Sequence, residues 1–148
     1  MRVLISGLLI LSVLGCKSKQ FSKNKTLQPS IASGYMKPDI LKGENYVVVY
    51  QYAEEAPRNT ADGGYKEMLY FEIPREIKEA FITNKSLKEY NVMYGRFCYC
   101  KDGGTGYFPV DNGKLKLKRA NDTLYIDFQF KVGKIPQKIT EVKAAITL

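Results

Sequence analysis

Alternation of apolar and polar residues dominates the chain from residue 46 onward, and a period of two is typical of half-buried β-strands. The alternation is clearest where Leu124, Ile126, Phe128 and Phe130 share one parity and mostly polar residues occupy the other. Similar runs begin at Tyr46 and at Met68. The strands that this pattern predicts for the second half span residues 92–100, 105–110, 113–119, 123–132 and 138–147.

Residues that tolerate positive φ lie between the runs and predict tight turns. They are Asp62-Gly63-Gly64, Asp102-Gly103-Gly104, Asn112-Gly113 and Asn121-Asp122. Since short turns join neighbouring strands, we expect the second half to form an antiparallel meander.

One segment favours a helix. Pro74 suits the first helical position, and Ile77, Ala80 and Phe81 follow at i, i+3 and i+4. This spacing predicts a short helix over residues 74–84, with another turn at 86–90. The fold class expected from these patterns is mainly β, a small sandwich or partly open barrel with one short α-helix. An α+β arrangement, with the helix packed on one sheet, is the alternative.

The amino terminus has the pattern of an export signal. Arg2 precedes an uncharged apolar run from Val3 to Gly15, which is shorter than the roughly 20 residues that a membrane-spanning helix needs. The run ends at Val13-Leu14-Gly15-Cys16, and this junction resembles the lipobox of bacterial lipoproteins. The resemblance covers residues 1–16 only. An ordinary secretory signal with a chance cysteine is the alternative.

The lipobox resemblance implies a lipid anchor on Cys16. It implies a diacylglyceryl thioether on this cysteine, cleavage between Gly15 and Cys16, and acylation of the new amino group. Two or three acyl chains hold a protein firmly at a membrane. In this family an Asp directly after the cysteine often signals retention in the inner membrane. Here Lys17 occupies that position, and the absence of Asp favours the outer membrane or cell surface.

Residues 16–44 are expected to separate the anchor from the domain. They contain four lysines up to Lys25, followed by Pro29, Gly34, Pro38 and Gly43, and no steady apolar period. We therefore expect a flexible tether over 17–30 and an irregular lead-in over 31–44. The lysines either contact anionic headgroups or belong to a merely solvated linker. Residues 45–148 form the predicted single domain.

Composition excludes several kinds of chemistry. The 148 residues carry a net charge of +8 and include no histidine. This excludes Ser-His-Asp and Cys-His nucleophiles and histidine-ligated zinc. The high pI suits an anionic partner, but we expect no nucleic acid for an exported lipoprotein. No cofactor is indicated, and the chain is expected not to be an enzyme.

Cys98 and Cys100 form the only C-x-C pair. In a regular strand, residues i and i+2 lie about 6.6–6.8 Å apart, at the upper limit for a disulfide, so a bridge would need a bend. Packing in the core or a structural bridge is the plainest interpretation. The alternatives are a redox pair or a soft-metal site with Met93 as a third ligand.

Basic and acidic residues supply the remaining candidates. Lys114, Lys116, Lys118 and Arg119 share or adjoin one strand face, which suits an anionic glycan or equally a solvated sheet face.

The loop 101–107 is glycine-rich but lacks the phosphate-loop spacing and is best explained as a hairpin turn. Asp102 alone makes no calcium site. Paired-carboxylate chemistry would rest on Glu54, Glu55 and Asp62, whose separation nothing in the sequence fixes.

Two classes of function follow. The first is a non-catalytic envelope lipoprotein whose β-rich domain binds a protein or anionic glycan at the membrane surface. The second is a thiol-redox or soft-metal-handling lipoprotein that uses Cys98 and Cys100.

Overall fold

The structure, a computed structural model, describes residues 15–60 and 63–148, in which nine strands and one 3₁₀ helix account for most of the chain. The helix is Asn84–Tyr90. The strands are β1 Cys16–Ala32, β2 Tyr35–Glu54, β3 Tyr65–Ile73, β4 Glu79–Thr83, β5 Met93–Cys98, β6 Gly106–Pro109, β7 Gly113–Ala120, β8 Thr123–Phe130 and β9 Glu141–Thr147.

The strands form two antiparallel sheets that pack as a sandwich. Sheet A has the order β1-β2-β3-β5-β6, and sheet B has the order β4-β7-β8-β9. The expectation of a mainly β fold is confirmed, in its sandwich form. Neither sheet closes into a barrel, and the described residues contain no α-helix of the kind that the α+β alternative requires.

The core lies between the sheets and is built by inward-facing residues of alternate parity. Leu69, Phe71 and Ile73 of β3 meet Leu115 of β7 and Phe128 of β8, and all five side chains are fully buried. The rings of Phe71 and Phe128 meet edge to face at 5.8 Å. Burying each such side chain contributes about 1.5–3 kcal/mol, so this layer is the main source of stability.

The second-half strands lie close to the predicted positions, but they do not form one continuous meander. β7, β8 and β9 pair in sequence, and Asn121, with φ 53°, closes the predicted turn between β7 and β8. β5 and β6 instead pair within sheet A. The chain crosses from sheet A to sheet B between β6 and β7. Val110 lies on this connection and is buried in the core that the two sheets share.

The predicted helix over 74–84 is wrong. Residues 79–83 form β4, which pairs with β7, and the 3₁₀ helix begins only at Asn84, over the turn predicted at 86–90. The few apolar residues of this segment fit the helical period of 3.6 as well as the strand period of 2. Pairing with β7 gives the segment its strand conformation. Ile82 points into the core, whereas Phe81 is 62% exposed on the opposite face.

The flexible tether expected within residues 16–44 is also wrong as a description of local structure. β1 begins at Cys16 and pairs with β2 along its length, from Cys16 opposite Ala53 to Ala32 opposite Tyr35. The register shifts near Lys25, which lies opposite both Lys42 and Asn45. Composition gave no signal for β1, because most side chains of this edge strand are exposed and therefore need not be apolar. The strand is held by main-chain pairing with β2.

Beyond this bulge, the hairpin packs against the outer face of sheet A. Leu27 is 1% exposed and joins a second apolar cluster, in which it contacts residues of β2, β3 and β5. The other buried members are Val47, Val49, Tyr70 and Met93. Both faces of sheet A are therefore covered, which explains why β2 carries consecutive buried residues.

Glu72 fixes the hairpin in this position. Its carboxylate is 7% exposed and accepts hydrogen bonds from the Leu27 backbone N–H at 2.9 Å and the Asn45 side chain at 2.5 Å. The Asn91 amide and the Thr26 hydroxyl donate to it at 3.1 Å. Although burial alone would raise the pKa of Glu72, these donors hold it below its ordinary value.

Candidate functional site

The candidate lipid attachment site opens the first strand. Cys16 is an exposed free cysteine at the start of β1. The predicted signal peptide at residues 1–15 lies, except for Gly15, outside the described residues. Within residues 15–60 and 63–148, no helix is long and apolar enough to cross a membrane.

Cys98 and Cys100 are joined in a disulfide. Their Cα atoms are 5.2 Å apart, because β5 ends at Cys98 and the chain bends there. This bend is the departure from strand geometry that a bridge between i and i+2 requires. Tyr99 lies between the two cysteines and is 85% exposed.

Arg96 packs behind the disulfide and holds the following loop. It is 4% exposed and forms an ion pair with Asp102 at 2.8 Å. Its guanidinium also lies 3.4 Å from the Cys100 Sγ and 3.4 Å from the Gly104 carbonyl oxygen. Arg96 holds the pKa of Asp102 below its ordinary value. Sequence reasoning did not single out Arg96, because nothing in its local pattern marks it as buried.

The loop that follows Cys100 joins β5 to β6 as a hairpin. A side-chain carbon at Gly104 would lie 2.6 Å from the Arg96 Nη1, so a larger residue there would have to displace the guanidinium that Asp102 holds. The glycine-rich loop 101–107 therefore forms the turn of this hairpin and packs on the Arg96 side chain. Asp102 is already ion-paired with Arg96.

The soft-metal interpretation loses its third ligand. Met93 is buried in the outer cluster of sheet A, at the opposite end of β5 from Cys98. Among the described residues there is no group of three or more histidine, cysteine or acidic side chains placed to hold a metal ion.

The carboxylates considered for catalysis are not brought together as a reacting pair. Glu54 forms an ion pair with Lys138 at 2.5 Å, which lowers its pKa, and its contact with Tyr52 raises the pKa of that hydroxyl to about 12. Glu55 is exposed, and Asp62 lies outside the described residues.

A different carboxylate, Glu67, is fully buried. It accepts hydrogen bonds from the backbone N–H groups of Lys138 at 2.6 Å and Ile139 at 2.7 Å, and another from the Tyr65 hydroxyl. It thereby ties sheet A to the loop between β8 and β9. Its position in the strand pattern gave no indication of this role.

The predicted lysine stripe lies on the outer face of sheet B. Lys114, Lys116 and Lys118 are exposed on one face of β7. Arg119 is not part of this stripe, because it has the opposite parity and its guanidinium donates to the carbonyl oxygens of Asn121 and Arg75.

The same face carries an open groove of about 1220 Å³. Phe81 and Tyr125 line it and are 62% and 50% exposed. The Lys116 amino group lies 5.8 Å from the centre of the Phe81 ring. We call this surface the open face; its charged side chains are Lys114, Lys116, Lys118, Lys143, Glu79, Asp127 and Glu141. The sequence did not indicate that Phe81 and Tyr125 share a surface, because Phe81 was assigned to a helix and Tyr125 to the solvent-exposed face of a strand.

No protein-family model, curated protein or solved structure matches the chain.

Proposed function

We propose that this protein is a bacterial envelope lipoprotein, anchored through Cys16 at the outer membrane or cell surface. Its β-sandwich is a non-catalytic binding domain that takes a protein partner on the open face. The observation that carries the binding site is the pair of exposed aromatic residues, Phe81 and Tyr125, in a groove on that face.

The coverage of the two sheets supports this choice of surface. The outer face of sheet A is covered by the β1–β2 hairpin, with Leu27 buried on it. The outer face of sheet B has no such cover from any described segment. Large aromatic side chains are enriched in protein–protein interfaces and supply much of the binding energy there.

The charge pattern favours a protein over an anionic glycan. The open face carries four lysines and three carboxylates, and Lys116 lies directly opposite Asp127 in the register. A polyanion would be repelled by the carboxylates, whereas a protein can present both signs of charge. The glycan remains the second occupant, favoured only by Lys114, Lys116 and Lys118.

The anchor is tested by mass spectrometry of the amino-terminal peptide from protein made in its bacterial host. We expect a peptide that begins at Cys16 and carries diacylglycerol and acyl chains. A Cys16→Ser variant should keep its signal peptide and take up no labelled fatty acid. A wild-type peptide that retains Met1 or has an unmodified Cys16 would refute the anchor.

The partner surface is tested by site-specific photocrosslinking in intact cells. A crosslinking amino acid at position 81 or 125 should give the same discrete protein adduct. A probe at Tyr35, which is 77% exposed at the hairpin tip, serves as the control. The adduct should disappear when the other aromatic residue is changed to serine. Equal adducts from position 35 would contradict the assignment.

The glycan is tested on the same surface. A Lys114→Gln/Lys116→Gln/Lys118→Gln variant should leave the crosslink largely intact if the partner is a protein. Salt-sensitive binding of purified lipopolysaccharide that this variant abolishes would instead favour the glycan.

A thiol-exchange function is the second candidate, and one contact favours it. The Arg96 guanidinium, 3.4 Å from the Cys100 Sγ, would stabilise a thiolate released there. A partner's thiolate would attack Cys98, Cys100 would leave as thiolate, and a second partner thiol would resolve the mixed disulfide. The partner dithiol would be oxidised and the Cys98–Cys100 disulfide reduced. A Cys98→Ser/Cys100→Ser variant that fully supports the cellular phenotype would remove this candidate.

A further inference from the structure

The lipid attachment site is built into the end of a sheet. Cys16 is the first residue of β1, and its partner in the register is Ala53 of β2. This inference rests on the proposed lipidation of Cys16. If that residue carries acyl chains, no linker separates them from the sandwich, and this end of sheet A must lie close to the bilayer.

The disulfide lies at the same end of the same sheet. The register joins Cys16 to Ala53, Ala53 to Lys66 and Lys66 to Phe97, so four strands end together. Neighbouring strands are about 4.8 Å apart, which separates the Cα atoms of Cys16 and Phe97 by roughly 14 Å across the sheet. Cys98 follows directly. We call this end of the sandwich the anchor end.

Tyr99 is the most exposed of the large apolar side chains described, at 85%. The Cys98–Cys100 bridge holds both of its neighbours, and Arg96 fixes the loop behind them through Asp102. Because the disulfide-closed loop already holds Tyr99 outward, inserting its side chain into a membrane surface has a small entropic cost. Tyrosine is also one of the two residue types enriched at the membrane–water interface.

Basic side chains are concentrated at the same end of the sandwich as this tyrosine. Five basic side chains at the anchor end form no ion pair within the described part of the chain: Lys17, Arg58, Lys66, Lys101 and Lys134. Three exposed or partly exposed acidic groups there are already engaged: Glu54 by Lys138, Asp102 by Arg96, and Glu141 by Lys143. Glu141 lines a groove together with Lys17, and Glu55 is exposed. Basic side chains close to a membrane are attracted to anionic headgroups.

We propose that the anchor end is a membrane-contacting surface, with Tyr99 at the level of the lipid headgroups and the basic side chains of this end against anionic lipid. The acyl chains hold the domain at the bilayer, and Tyr99 together with the basic side chains of the anchor end sets the orientation. The open face on sheet B then stands away from the lipid contact, available to a partner.

The experiment uses the absence of tryptophan from the sequence. A Tyr99→Trp variant of the full chain is made in the bacterial host and purified in its processed form. It is then reconstituted into vesicles of phosphatidylcholine and phosphatidylglycerol with brominated acyl chains. A Tyr125→Trp variant, with its probe on the open face, is the matched control. Mass spectrometry first establishes whether Cys16 carries lipid.

We expect the Tyr99→Trp emission to shift to the blue and to be quenched several-fold more than that of Tyr125→Trp. The difference should shrink in vesicles without phosphatidylglycerol and when Lys101→Gln and Lys134→Gln are added. Equal quenching of the two variants, with Cys16 lipidated, would overturn this inference and leave the anchor intact. An unmodified Cys16 would overturn the anchor and the inference together.

Discussion

Replacing Glu72 with glutamine should release the β1–β2 hairpin from sheet A. The carboxylate accepts hydrogen bonds from Leu27, Asn45, Asn91 and Thr26, all at 2.5–3.2 Å. Glutamine keeps one acceptor oxygen but places an NH₂ group against donors. Hydrogen bonds to a charged group contribute about 1.5–3 kcal/mol each and are not additive. We therefore expect Glu72→Gln to lower the free energy of unfolding by about 3 kcal/mol.

The loss should be largest in the hairpin and smaller in the core. Urea unfolding gives the total, and native-state hydrogen exchange gives its distribution. Backbone amides of residues 26–32 and 36–41 should lose protection, while those of β7 and β8 keep theirs. The exposed Glu79→Gln on β4 is the control and should change the free energy by less than about 0.5 kcal/mol. Unchanged hairpin protection in Glu72→Gln would refute the reasoning.

The same carboxylate gives a pH dependence of defined sign. Hydrogen bonds outweigh burial and hold its folded-state pKa below the ordinary value of 4.5. Its contribution to stability is therefore present above pH 4.5 and is lost as the pH falls through the lower, folded-state pKa. The stability of the wild type should fall more steeply below pH 4.5 than that of Glu72→Gln. Parallel curves would show that Glu72 is not the group responsible.

Further substitutions test the core, a close contact and the disulfide. Phe128→Ala should cost about 3–5 kcal/mol in urea unfolding, and Phe81→Ala on the open face under about 0.5; similar losses would contradict the assigned core. Gly113→Ala should cost about 1–3 kcal/mol in thermal unfolding, because its new carbon would lie 2.4 Å from a carbonyl oxygen of β8. Gly64→Ala is the control and should be almost neutral, because its new carbon would have no neighbour nearer than 3.9 Å. Cys98→Ser/Cys100→Ser should cost no more than about 2 kcal/mol, since the bridge closes a very short loop, and a larger loss in urea unfolding would show that it holds more than its own turn.

The sequence predicted the strands whose two faces meet different surroundings. β7 and β8 each place apolar residues on the core and polar residues in solvent, so their alternation was visible without tertiary information. The turn at Asn121 was predictable as well, because a positive φ restricts the residues that a two-residue loop accepts. Elements with this local signature lie within a few residues of their predicted bounds.

Part of the candidate site was also visible in the sequence. The lipobox-like junction at Cys16, the C-x-C pair and the lysine stripe were all identified from residue type and spacing. Their surroundings were not. Glu67 and Glu72 are buried carboxylates whose main partners lie 19–72 residues away, and a one-dimensional pattern gives no sign of such contacts. The loop partners of Arg96 lie only 4–8 residues away, but they reach it through a loop whose shape the sequence pattern does not give.

The sequence by itself determined the period of the strands, the turns and the chemistry that the chain lacks, because these depend on residue type and local spacing. The tertiary structure alone decided that residues 16–32 form a strand and that residues 79–83 pair with β7. It also decided that Phe81 and Tyr125 share an open face. Each of these outcomes depends on main-chain pairing and burial between distant segments, and the free energy of those contacts exceeds the weak local preference of a short or polar segment.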